Sequence, residues 1–162
     1  EIMPSLVGSE MCIRDSQISC IKAAQYYRLQ SLRHPQWIPA MVAQIKRQKY
    51  FRWHDAGDLQ SVQHLKNIFE VCKLTPSVKH WLPTREVKYT SLMDPAVVPT
   101  NLKIIISDHM IDQERGVLSW PYTSGVSTNG AATCPAPSQG GKCKSCRACW
   151  DRSVTRVVYG KH

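Results

Sequence analysis

The chain has 162 residues, 21 basic against 12 acidic side chains for a net charge of +9, and a hydrophobic content of 43%. That length and apolar content fit one domain with a buried core and exclude wholesale disorder. No run reaches the ~18 apolar residues of a membrane helix, and Ile2 to Val7, broken by Pro4 and without a basic leader, makes a poor secretory signal, so a cytoplasmic protein is expected.

Residues 1–16 carry no helical or alternating period, and Val7 to Ser16 resembles translated sequencing-adapter read-through. The segment is set aside from fold reasoning, Cys12 is expected to carry no function, and the natural chain is expected to be longer at its N-terminus. Cys20 stands too close to that junction for a role to be assigned. From Ile21 to Leu32 the spacing of Ala24 and Tyr27 suits a helix, which His34-Pro35 breaks. Trp37, Ile38, Met41, Val42 and Ile45 then recur at helical spacing, with the basic run Lys46 to Lys49 at the favourable end of that helix.

The period changes at Tyr50-Phe51-Arg52-Trp53, an aromatic-rich strand, followed by a polar loop from His54 to Asp58. Ser61 is placed to cap a helix to about Lys73 with Val62, Leu65, Ile68, Phe69 and Cys72 buried. Lys79 to Leu82 reads as a second strand, Val87 to Asp94 as a short helix or turn, and Leu102 to Ser107 as a third strand. Strands alternating with helices predict an α/β fold with a partial parallel sheet, an incomplete barrel, over residues 17–118. From residue 119 to 162 the composition shifts to Gly, Ser, Thr and Pro and then to cysteine, and this stretch is expected to form a loop and a cysteine-rich metal-binding subdomain.

Cys134, Cys143, Cys146 and Cys149 are the densest chemical signal. Two-residue gaps let successive thiolates turn inward onto one metal, and Gly140 and Gly141 supply the backbone freedom this needs. Four thiolates complete a tetrahedral zinc site or hold an iron–sulfur cluster; the C-x2-C-x2-C run leans toward iron–sulfur. Lys142, Lys144 and Arg147 would offset the thiolate charge. The alternative is a set of reduced structural cysteines.

A second constellation is positional. In parallel α/β sheets ligands bind at the carboxyl ends of the strands, and here those ends carry His54, Asp55, Gly57 and Asp58, then Thr84, Arg85 and Glu86, then Asp108 and His109. These are the pocket candidates, with a buried polar network bridging the strand tips as the competing reading, and the stronger one for any single member such as Glu86. No nucleophile–base pair, P-loop or dinucleotide fingerprint accompanies them, and catalytic residues stay unassigned. His34, His64, His80 and Cys72 read as structural or exposed.

Phe51 to Leu59, His80 to Glu86, and Cys134-Pro135 with Cys143, Cys146, Cys149 and Trp150 together resemble the gene product 88 family of bacteriophage proteins. The resemblance runs from about residue 22 to the C-terminus and implies a phage-encoded protein acting in an infected bacterial host, with an N-terminal cysteine group that this chain lacks. The strand–His-Asp-x-Gly-Asp and Thr-Arg pattern is more loosely similar to radical S-adenosylmethionine-like partial barrels. That likeness covers His54, Asp55, Gly57, Asp58, Thr84 and Arg85, implies a truncated enzyme, and makes the C-terminal cysteines an auxiliary cluster or a structural zinc site. The expectation is a phage metal-binding protein with iron–sulfur or zinc, or alternatively a non-catalytic zinc module that binds nucleic acid or a host protein.

Overall fold

In the computed structural model the structure describes residues 19–54, 58–91, 93–113 and 120–161. Helices α1 (Ser19–Ser31) and α2 (Trp37–Ile45) lead into strand β1 (Tyr50–Arg52). Helix α3 (Val62–Leu74) connects β1 to β2 (Lys79–Thr84), and the short α4 (Val87–Thr90) precedes β3 (Leu102–Ser107). Strands β4 (Thr123–Ser127) and β5 (Arg156–Gly160) follow. All neighbouring pairs are parallel, the strand order in the sheet is the chain order, and the sheet curls into a half-barrel.

The helix starts follow local chemistry. Ser61 Oγ accepts the His64 N–H at 3.0 Å and caps α3, which satisfies one of the donors a helix N-terminus leaves open. Thr75 closes the other end, its hydroxyl donating to the Val71 carbonyl at 2.7 Å. β2 runs through Pro83 to Thr84, two residues beyond the expected end at Leu82. Proline is tolerated there because the odd-numbered side of β2 faces β1, as the Trp53 N–H to Trp81 carbonyl bond shows, and β1 has already ended at Arg52.

Alternation along the strands gives the sheet two different faces. On one, Leu82, Leu102, Ile104 and Ile106 pack with Ile45 of α2 and Leu65, Ile68, Phe69 and Cys72 of α3. On the other, Trp81, Ile105 and Val157 pack against Cys149, with Tyr122, Cys134, Trp150 and Tyr159 around them. The second cover is supplied by the connection between β4 and β5.

That connection is where the fold departs from the sequence reading. The segment read as a loop and metal-binding subdomain contributes two strands, so the sheet continues past residue 118. Its cysteine-rich part is a crossover that lies against the sheet rather than a separate subdomain. It also seals both rims of the sheet. Trp150 Nε1 donates to the Phe51 carbonyl on β1 at 3.0 Å, and the N–H groups of Thr133 and Cys134 reach the Val158 carbonyl on β5 at 2.9 and 3.0 Å. Open strand edges invite pairing with other chains, and a covering loop removes that hazard.

Candidate functional site

The four cysteines of the crossover surround one small cavity of about 20 Å³, with Pro135, Trp150 and Val157 among the other lining residues. None is in a disulfide; Cys149 is buried, Cys134 and Cys146 are half-buried and Cys143 is exposed. Tight turns bring them there. The Cys146 N–H bonds the Cys143 carbonyl at 2.8 Å, and Trp150 and Asp151 donate to the Arg147 carbonyl at 2.9 and 3.0 Å. Gly140 and Gly141 both take left-handed φ values, +69° and +74°, which a side chain would resist. Arg147 bonds the carbonyls of Lys144 and Cys146, so the turn is braced from outside.

A buried lysine braces it from beneath. Lys103 is 1% exposed near the start of β3, and its ammonium donates to the carbonyls of Ala148 and Asp151, both at 2.7 Å, while facing the Tyr122 ring at 5.3 Å. Burial lowers its pKa, and the neighbouring Cys149 and Asp151 oppose that. Burial raises the Cys149 thiol; the Tyr159 hydroxyl, 3.5 Å from its sulfur, pulls the other way, and the thiols of Cys134 and Cys143 push it up again. The same burial, with Cys149 beside it, lifts the Tyr159 hydroxyl well above the ordinary phenol range. Among the described residues no group of three or more His, Cys, Asp or Glu side chains is drawn together closely enough to hold a metal ion as it stands. The four cysteines are among the residues that line a space about the size of one water-sized sphere.

At the carboxyl ends of β1, β2 and β3 the polar groups bond one another. Asp58 accepts from the Thr84 hydroxyl at 2.5 Å and from the Arg85 and Leu59 N–H groups at 2.8 and 2.7 Å. Burial raises its pKa, and these hydrogen bonds hold it back. The Arg85 guanidinium reaches across to the carbonyls of Asp108 and His109 at 3.2 and 2.8 Å. The Asp108 carboxylate pairs with Arg156 from β5 at 2.5 Å, its side chain only 3% exposed. Gly125 makes room for that pair, since a Cβ there would stand 2.6 Å from the Asp108 carboxylate and 2.8 Å from the guanidinium.

A family model described as gene product 88 matches residues 13–152. The chain belongs to the gene product 88 family. No curated protein and no solved structure matches it. Neither comparison returns a radical S-adenosylmethionine enzyme.

For this gene product 88 chain the structure thus joins Asp58, Thr84, Arg85 and Asp108, with the His109 backbone, into one network. Glu86 sits at its margin in an ion pair with Lys88. His54 goes elsewhere. It adopts a left-handed backbone, φ +57°, and lies with its ring 5.2 Å from that of His64 of α3, both ring nitrogens buried and without a partner among the described residues. Asp55 and Gly57 lie outside the described residues. Cys72 is a core residue, as its place on the apolar face of α3 predicts. Three contributors escaped the sequence reading: Lys103, Arg156 and Tyr159. For Lys103 a signal existed, because a lone charge inside Leu102–Ser107, a run buried on both faces, needs internal partners.

Proposed function

We propose that the chain is a zinc-binding protein whose Cys134, Cys143, Cys146 and Cys149 hold a single ion that clamps the β4–β5 crossover onto the sheet. The observation that carries this reading is the gathering of four unbridged cysteines around one cavity of about 20 Å³. Four thiolates complete a tetrahedral zinc site, the simpler of the two groups that these cysteines could hold. Bound zinc would supply four strong bonds to a crossover otherwise held by few apolar contacts, so its contribution is to folding. Lys103 and Arg147 set the backbone turns from which the thiols project, and their positive charge offsets part of the −2 excess of a tetrathiolate zinc site.

The reading is structural and not catalytic, because the strand-end carboxylates of Asp58 and Asp108 are already bonded within the protein. A phage-encoded role in the host cytoplasm is in keeping with family membership, and among the described residues no helix is long and apolar enough to cross a membrane. Elemental analysis of protein purified without oxygen tests the proposal. The expected result is about one zinc per chain and no visible colour. A brown protein containing iron and acid-labile sulfide would replace zinc with an iron–sulfur cluster, and a metal-free, fully stable protein would refute both.

A further inference from the structure

The cysteine crossover meets β1 along a row of cations and aromatic rings, of which the proposed zinc site uses Arg147 alone. Tyr50 on β1 carries the Arg147 guanidinium 4.8 Å from its ring centroid and the Lys49 ammonium at 5.9 Å. Its ring meets Trp150 edge-on at 5.5 Å, and Trp150 meets Trp81 at 5.2 Å. Arg52, next on the same face of β1, lies over the Trp81 ring at 4.9 Å. Lys79 stands beside Tyr50 in the strand register, and Lys46 and Arg47 precede Lys49.

Two properties set this row apart from an ordinary solvated surface. Lys49, Arg52 and Lys79 are exposed, and the ion pairs among the described residues, Lys73–Glu70, Lys88–Glu86 and Arg156–Asp108, include none of these cations and not Arg147. The rings hold Lys49, Arg52 and Arg147 in place without an ion pair, and Lys79 has Asp151 near it, in a chain that already carries +9. Lys and Arg in a row attract a phosphate backbone through release of its counterions. Half-exposed Tyr50 and Trp150 between them offer flat apolar surface of the kind on which unpaired bases stack. A duplex hides its base faces and gains nothing from those rings.

We infer that the edge formed by Lys49, Tyr50, Arg52, Lys79, Arg147 and Trp150 binds single-stranded nucleic acid, phosphates on the cations and bases against the rings. Four of the six residues, Lys49, Tyr50, Arg52 and Lys79, lie outside the crossover that the proposed metal would clamp. The test is fluorescence anisotropy of the full chain with a labelled single-stranded DNA of about 16 nucleotides, over a range of salt. The triple variant Lys49→Gln, Arg52→Gln, Lys79→Gln is compared with a charge-matched control, Lys66→Gln, Lys73→Gln, Lys88→Gln, whose lysines are exposed on α3 and α4. The edge variant is expected to bind at least about tenfold more weakly, with a salt slope smaller by about 2, from roughly 0.7 per lost phosphate contact. The control is expected to stay within about threefold of wild type. Equal losses in both variants, tighter binding of the matching duplex or of anionic vesicles, or no binding by wild type would overturn the inference. Metal content measured on the same samples separates this outcome from that of the zinc proposal.

Discussion

Lys103 concentrates at one residue much of what holds the crossover down. Its ammonium occupies the carbonyls of Ala148 and Asp151 and faces the Tyr122 ring, so its positive charge is buried but fully engaged. Lys103→Met keeps the apolar stem and leaves both carbonyls without that donor; it should lower stability by about 1–3 kcal/mol in urea unfolding. A second residue-scale effect comes from histidine. His54, His64 and His80 are each lowered to about 4, chiefly by burial, with Arg52 adding at His54, His54 adding at His64, and Thr75 opposing at His80. Below about pH 6.5 the unfolded chain takes up protons that the native histidines refuse until about pH 4. Stability should therefore rise with pH across that window and level off above it. A Tm that stays constant from pH 7 to pH 4.5 would contradict neutral burial of these rings.

At the scale of elements, α2, α3, β1 and β3 were legible because each combines one clear period with a boundary signal. Ser61 before the α3 stripe and the β-branched run Leu102–Ser107 are the plainest cases. β4 was not, since Thr123-Ser124-Gly125-Val126-Ser127 has the composition of a loop. It is a strand because β3 and β5 bond it on both sides, which only tertiary context supplies. Arg156-Val157-Val158-Tyr159 does alternate, but a five-residue strand beyond a cysteine-rich loop is easily read as part of the tail. Of the strand-end candidates, Asp58, Thr84, Arg85 and Asp108 meet at one edge, where hydrogen bonding, invisible in one dimension, turns them into a brace between strands. Arg156→Leu tests the brace: it strands the Asp108 carboxylate almost fully buried and should cost about 3–5 kcal/mol. Ser61→Ala, which only uncaps α3, should cost about 1 kcal/mol in the same assay.

Over the whole molecule, one sheet carries two covers of different origin. Helices α2 and α3 bury one face by ordinary apolar packing. The crossover from β4 to β5 buries the other and closes both rims, although its own apolar cluster is small. On the zinc proposal, the four cysteines tether this cover. Removing the metal should therefore loosen this cover before the helical one. With zinc chelated, limited proteolysis is expected to cut first between Thr128 and Thr155, leaving α3 and β3 protected. The most direct measurement of the central claim is a count of reactive thiols by alkylation and mass spectrometry, before and after chelation. Cys134, Cys143, Cys146 and Cys149 should be protected in the native protein and become reactive together once zinc is withdrawn. Independent reactivity of these four, unchanged by the chelator, would contradict the shared site.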